Sequence, residues 1–255
     1  MFKRTSIFIY GVVSYLIFFA TFLYLIAFVG NLPFVPSTLD GEPRMPSTSA
    51  VLIDVLLLAL FALQHSVMAR PAFKRWWTQW VPVEAERSTY VLFSSLALIL
   101  MFSFWQPVGG VFWSVENPVG RGLLYTLFGL GWLLVLYSTF LINHFDLFGL
   151  RQVWLQLQGR AYQPLAFKTP AMYRVVRHPL YVGWFIAFWA TPEMTMTHAL
   201  FALLNTAYIL SAIQFEERDL QDAHPEYATY RREVPMLVPR INRPRRTLQN
   251  DETAA

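Results

Sequence analysis

Two groups of residues in this chain have the types and spacing for chemistry. In the first, Arg177-His178-Pro179-Leu180-Tyr181-Val182-Gly183 precede an apolar hairpin, and Glu216-Glu217-Arg218-Asp219-Leu220 and Tyr227-Ala228-Thr229-Tyr230 follow it. A carboxylate at the hydrocarbon boundary can accept from a hydroxyl or an ammonium group and suits a cation. Two rings three residues apart on a helical turn can flank a planar or cationic ligand. His178 stands before Pro179, which biases it out of helix and sets it at a helix start, where free backbone N–H groups attract anions. The plainer reading makes His178 and Pro179 a helix start signal, and Glu216 and Glu217 a charged helix end paired with Arg218 or Arg231.

The second group comprises His65, inside an apolar run, and the stretch Asn143-His144-Phe145-Asp146, with Arg151 beyond it. A carboxylate beside a histidine fixes the imidazole tautomer and raises its basicity, which makes a proton acceptor. Positions two apart do not face each other on a helix, so a His144–Asp146 pair requires a loop there. The alternative is that both residues cap the preceding helix.

Several chemistries are set aside. With no cysteine there is no disulfide, thiolate metal site or cysteine nucleophile. His65, His144, His178, His198 and His224 show no HxxxH pairing, so no metal site is expected. No GxGxxG stands in a strand–helix context, so a nucleotide would have to be gripped by the fold itself. The formal net charge of +4 comes mostly from loops and tail and suits a membrane-facing surface, and no nucleic-acid motif is present.

The elements that position these groups follow from composition. Of the 255 residues, 55% are hydrophobic and only 14% charged, more apolar than a soluble domain carries. This predicts an all-α, polytopic membrane bundle of five to six transmembrane helices forming one domain. Spans are expected at residues 7–29, 51–69, 89–105 and 122–142, then a hairpin of apolar runs at 184–190 and 199–215 turning at Pro192 and Glu193. The short run before Pro192 leaves five spans and a re-entrant piece as the other count. Asp54, Gln64 and His65 are costly in lipid and should face the bundle, and Gly129 and Gly131 should permit close helix contact. The loop at 31–49, with four prolines, should be ordered but not helical. Positive charge in the loops at 70–87 and 143–176 and in the tail at 240–246 puts both termini in the cytoplasm. A hairpin that leaves and re-enters on one side then brings His178 and Tyr181 against Glu216 and Glu217.

The ordered elements RHPxYxG, EExxL and YxxYxxxVP resemble the integral-membrane methyltransferases that include the isoprenylcysteine carboxyl and phospholipid methyltransferases. Gln64-His65-Ser66 with Met68-Ala69-Arg70, and residues 143–152 from Asn143 to Gln152, are similar to bacterial methanethiol S-methyltransferases. The resemblance implies a bacterial inner-membrane enzyme that binds S-adenosyl-L-methionine through residues about 143–240. The implied cofactor set is Arg177, His178, Tyr181, Gly183, Glu216, Glu217, Tyr227 and Tyr230, with the cytoplasmic C-terminal segment closing over it. The implied substrate is methanethiol, a small volatile thiol able to arrive through the lipid bilayer, with dimethyl sulfide as product. Such a thiol ionises well above the ~8.5 of cysteine, so its deprotonation needs help. The candidates are the His144–Asp146 pair, favoured, and His65, with Arg151 able to offset the desolvation of the thiolate. A lipid-linked carboxyl or amine acceptor is the alternative within the class. A non-catalytic membrane protein, such as a factor associated with denitrification, is the alternative outside it.

Overall fold

The computed structural model describes residues 1–240. Most of the basic tail expected at 240–246 therefore lies outside the described residues. The chain runs through α1 (Phe2–Val29), α2 (Ser47–Ala69), the short α3 (Pro71–Trp77), α4 (Val83–Phe104), strand β1 (Val111–Ser114) and α5 (Pro118–Leu141). It continues through α6 (His144–Leu147), α7 (Leu150–Leu157), a 3-10 turn at Ala171–Arg174, α8 (Pro179–Trp189), β2 (Glu193–Thr195), α9 (Met196–Ala223) and α10 (Tyr227–Glu233). Among the described residues, five helices, α1, α2, α4, α5 and α9, are long and apolar enough to cross a bilayer. A helix satisfies its own backbone polar groups, which a strand edge in hydrocarbon cannot do. The protein is a polytopic helical membrane bundle.

Local signals set the helix ends. Pro46 and Pro82 sit in extended backbone just before α2 and α4. Asn117 caps α5 by accepting from the N–H groups of Val119 and Gly120, with Pro118 at the first helical position. Thr195 caps α9 through the N–H of His198 at 2.9 Å. Thr48 and Ser49 do not cap α2, because both residues lie inside the helix. Helix α9 runs past its apolar stretch and carries Glu216 and Glu217 on its last turns.

The sixth crossing is built differently. With 11 residues, α8 covers only about 16 Å, half of a bilayer core. Extended chain then completes the passage, and β2 pairs antiparallel with β1, Thr195 opposite Val111 and Glu193 opposite Ser114. That ribbon was not expected from the sequence. It joins the α8–α9 turn to the α4–α5 turn, so α9 begins at the end of the bundle where α5 begins. The start of α8 and the end of α9 accordingly share the opposite end, together with the start of α1, α3, α6 and α7.

Helices in lipid gain little from removing apolar surface from water, so close packing carries their association. Gly131 and Gly183 supply it between α5 and α8: a Cβ on Gly131 would meet the backbone N of Ala187 at 2.6 Å, and one on Gly183 the backbone O of Gly131 at 2.8 Å. Gly129 takes no part, since nothing lies within 4 Å of its absent side chain. Phe22, Phe28, Trp105, Trp132, Phe188 and Phe201 fill the space between α1, α4, α5, α8 and α9. At the ribbon end the loop 31–46 is ordered and non-helical as expected. Trp105 Nε1 donates to Leu39 O at 3.0 Å, Ser37 Oγ donates to Phe102 O at 2.8 Å, and Asp40 accepts from Thr195 and Asn31. Asp54 faces inward and is fully buried, accepting from the N–H of Gln106 at 2.9 Å.

One substitution made at two neighbouring glycines checks the α5–α8 contact. Gly131→Ala should lower the thermal midpoint, by the about 1–3 kcal/mol that overpacking costs. Gly129→Ala should leave it unchanged or raise it, alanine being the better helix former by about 1 kcal/mol. Equal effects at the two positions would contradict the contact.

Candidate active site

Glu217 sits at the centre of the motif end, with its side chain 2% exposed. Its Oε1 accepts from Arg177 Nε at 2.7 Å and from His178 Nε2 at 3.0 Å, and Arg231 Nε lies 3.0 Å from Oε2. A carboxylate out of water must be paired on both oxygens or lose its charge, and here both are paired. Because the carboxylate can only accept, the His178 proton that faces it is on Nε2. The Arg177 guanidinium also donates to the carbonyl oxygens of Arg231 and Val234. The backbone N–H groups of Arg177 and His178 donate to Pro235 O at 2.9 Å and Met236 O at 3.2 Å. The tail after α9 is thereby stitched to the entry of α8.

Beside this clasp Tyr181 donates to Glu216 Oε2 at 2.7 Å, and the rings of His178 and Tyr181 lie 5.4 Å apart. Tyr227 and Tyr230 are buried on α10 against Phe167, whose ring lies 5.7 and 5.5 Å from theirs. Tyr230 donates to Tyr173 O, while the hydroxyl of Tyr227 is buried with no hydrogen-bond partner among the described residues. Burial pushes both phenols upward, so each stays a neutral donor. The hairpin thus brings together Arg177, His178, Tyr181, Glu216, Glu217, Tyr227 and Tyr230. Gly183 is buried one turn inside α8 and is occupied by the α5 contact.

The expected His144–Asp146 pair does not form. Residues 144–147 are helical, and positions two apart on a helix diverge. Asp146 turns instead to Arg151 Nη1 at 2.7 Å and accepts from Tyr162 at 3.3 Å. His144 is buried against Phe140 in a near-parallel stack at 4.4 Å, with Tyr15, Phe145 and Phe148 at its edges. Thr139 gives its hydroxyl proton to Leu136 O, so it accepts from His144 Nδ1–H at 2.8 Å. Tyr15 then donates to Nε2 at 2.9 Å. Both ring nitrogens are in use, and the residue anchors α1 to the end of α5. Arg151 and Asn143 line a mostly apolar groove of about 480 Å³ with Phe8, Val12, Phe145 and Trp154.

His65 lies elsewhere, at a polar cluster between α2 and α4 that reaches α9. Its ring contacts Tyr90 Oη at 2.8 Å from Nε2 and Ser94 Oγ at 3.2 Å from Nδ1, while Ser66 and Tyr208 share a hydrogen bond at 3.2 Å. Sequence reading missed Tyr90, Ser94, Tyr15 and Thr139. The signal for the first two was a polar pair four residues apart inside a hydrocarbon-length helix. Tyr15 lies far from His144 in sequence and Thr139 on the preceding helix α5, and nothing local marks either as its partner. Among the described residues no group of three or more His, Asp or Glu is arranged to hold a metal ion.

Fold and site together define a multi-pass helical membrane protein whose acidic, cationic and aromatic groups converge at one end of a broken hairpin. No family profile and no solved structure matches the chain. It is 57% identical over 242 residues to a methanethiol S-methyltransferase of Crocosphaera subtropica, covering 94% of each protein. A methanethiol S-methyltransferase of Mycobacterium tuberculosis is 53% identical over 93% of this chain and 97% of its own. Nurim of Bos taurus is 33% identical over 66% of this chain and 67% of its own. The chain belongs to the methanethiol S-methyltransferase family.

Two measurements check this geometry. Glu217→Ala leaves the Arg177 guanidinium buried without its carboxylate and should destabilise the fold by about 3–5 kcal/mol, whereas Arg231→Ala, at the exposed side, should cost much less. Similar unfolding midpoints for the two variants would contradict the clasp. The second measurement uses pH. Burial holds His144 below the ordinary histidine range. A histidine depressed in this way binds fewer protons folded than unfolded, so its stabilisation is present above the unfolded value near 6.5 and is lost as pH falls through it. The thermal midpoint should therefore drop between pH 7 and pH 5, and His144→Phe should flatten that drop. An identical pH slope in the variant would contradict a neutral, buried His144.

Proposed function

We propose that this chain is an S-adenosyl-L-methionine-dependent methyltransferase of a bacterial cytoplasmic membrane that converts methanethiol to dimethyl sulfide. The observation that carries this reading is the identity of 50–57% over most of the chain to several relatives that bear this activity in their names. Both termini face the cytoplasm on this reading. The bundle end that holds the start of α1, α3, α6 and α7 also holds Lys74, Arg75, Arg151, Arg160, Lys168 and Arg174, the charges that stay inside.

The residues at the hairpin mouth fit the cofactor. The Glu216 carboxylate, which among the described residues faces only the Tyr181 hydroxyl, complements a sulfonium cation and can accept from ribose hydroxyls. The unsatisfied hydroxyl of Tyr227 is an orphan that a ligand can complete. Glu216, Tyr181, His178 and Tyr227 would hold the cofactor, while Arg177, Glu217 and Tyr230 keep the tail across it. Gly183 serves by letting α8 approach α5, which fixes where His178 and Tyr181 point. Residues about 143–240 form this half of the site. When bound, the cofactor supplies a methyl group on positively charged sulfur. The chain's own share is to orient that methyl group, shut water out with the tail, and accept the proton that the thiol gives up. A volatile apolar thiol dissolves in hydrocarbon and reaches the bundle from the bilayer.

Purified protein in lipid nanodiscs, given methyl-labelled S-adenosyl-L-methionine and methanethiol, should release labelled dimethyl sulfide. Glu216→Gln removes a charge-assisted acceptor worth ~1.5–3 kcal/mol and should weaken cofactor binding about tenfold or more in calorimetry. Absence of labelled product from the wild type would sink the activity, and unchanged cofactor affinity in the variant would remove Glu216 from the site.

A further inference from the structure

The clasp and the cofactor mouth leave one polar cluster of the interior unused: His65 and Ser66 on α2, Tyr90 and Ser94 on α4, and Tyr208 on α9. We propose that the thiol binds against the hydroxyl of Tyr90 and that His65 receives its proton through that hydroxyl. This rests on the thiol-methyltransferase reading and adds the acceptor half of the site to it.

Hydrogen-bond bookkeeping fixes the direction of transfer. Ser94 donates its single hydroxyl proton to Tyr90 O at 2.9 Å, so toward the imidazole it can only accept, and His65 carries its proton on Nδ1. Tyr90 Oη lies 2.8 Å from Nε2 and 3.1 Å from Nδ1, and because Nδ1 holds the proton, the lone pair on Nε2 is the acceptor for Tyr90 O–H. Tyr90 Oη keeps lone pairs free for a donor such as S–H. When it receives one, its own proton has a place to go.

The surroundings suit a small, weakly polar acid. Phe61 stacks on His65 at 5.2 Å and also faces Tyr208, so an apolar wall borders the hydroxyls. The Arg87 guanidinium lies over the Tyr90 ring, 5.6 Å from its centre, and favours negative charge forming beside it. Tyr90 is buried, and His65, Ser66, Tyr181 and Tyr208 are each only partly exposed. The α2 end of the cluster meets α9 on either side of Glu216, where Arg70 Nη1 lies 2.9 Å from Asp219 Oδ2 and its guanidinium lies over the Phe215 ring. His144 offers no comparable route, because Tyr15 and Thr139 occupy both of its nitrogens and aromatic rings enclose it.

In the step itself the S–H bond breaks. Its proton passes to Tyr90 Oη while the phenol proton passes to His65 Nε2, leaving an imidazolium that Nδ1–H still ties to Ser94. The sulfur lone pair forms the new S–C bond as the methyl group's bond to the donor sulfonium breaks, so two neutral thioethers and one proton result. His65 later returns that proton to water.

The test uses the full chain in lipid nanodiscs with methanethiol. His65→Gln and Tyr90→Phe should each lower turnover about 10²–10⁴-fold, the range for a positioned proton acceptor, with S-adenosyl-L-methionine affinity within twofold of wild type. The deficit should shrink as pH rises and the thiol ionises unaided. Facing the pair are Arg87 and Glu86 of α4, Arg70 at the end of α2, and Tyr208 of α9, none of which is altered. Ser94→Ala, which frees the tautomer, should show a smaller loss of the same pH form. Tyr90→Phe removes a single atom and carries the test if His65→Gln does not fold. Full turnover in Tyr90→Phe, a deficit independent of pH, or loss of cofactor binding together with turnover would overturn the proposal. A wild type that binds cofactor yet makes no dimethyl sulfide would overturn the activity instead.

Discussion

The Glu217 carboxylate is the constraint on which the motif end depends. It is buried at the end of a long apolar helix, where an unpaired charge is untenable, so its neighbours must bring cations to it. Arg177 and His178 come from the start of α8 and Arg231 from α10, so one side chain joins three parts of the chain. Replacing such a cluster with hydrocarbon can stabilise a fold, which makes geometry a better account of it than stability. What it fixes is the tail, whose Pro235 and Met236 carbonyls accept from the backbone of Arg177 and His178. A roof over the hairpin mouth follows from charge neutralisation.

The broken passage of α8 serves the same end. A continuous helix of about 20 residues would cross the bilayer, whereas α8 stops after 11 and hands the crossing to extended chain that pairs with β1. Backbone groups outside a helix are tolerated at depth only where protein satisfies them, and the ribbon, the Thr195 cap and the ordered loop around Asp40 do so here. The Gly131–Gly183 approach then sets the height of α8 against α5. Together these place His178 and Tyr181 opposite Glu216 and Glu217.

Where the sequence was legible, the physics was local or cumulative. Apolar length announced the long helices. The convergence of the two hairpin ends followed from topology alone. The site was harder, because partners are chosen across space. Asp146 was read beside His144 from its spacing, but a short helix turns it toward Arg151 and Tyr162. Glu217 was read as a ligand group, and in the structure both of its oxygens face the chain's own cations. Tyr90 and Ser94 carry a signal only to a reader who counts polar residues four apart in an apolar helix. The ribbon could not be seen because each of its strands is three or four residues long and finds its partner about 80 residues away.

The central claim is that the tail and the two ends of the hairpin form the cofactor site. Hydrogen exchange of the protein in nanodiscs, with and without S-adenosyl-L-homocysteine, tests it directly, since amides under a bound ligand exchange more slowly. The account predicts protection of residues 173–182, the last turns of α9 and residues 227–237, with α6 and α7 unchanged. Protection confined to the groove beside Arg151 and Trp154, with the tail exchanging as before, would contradict it.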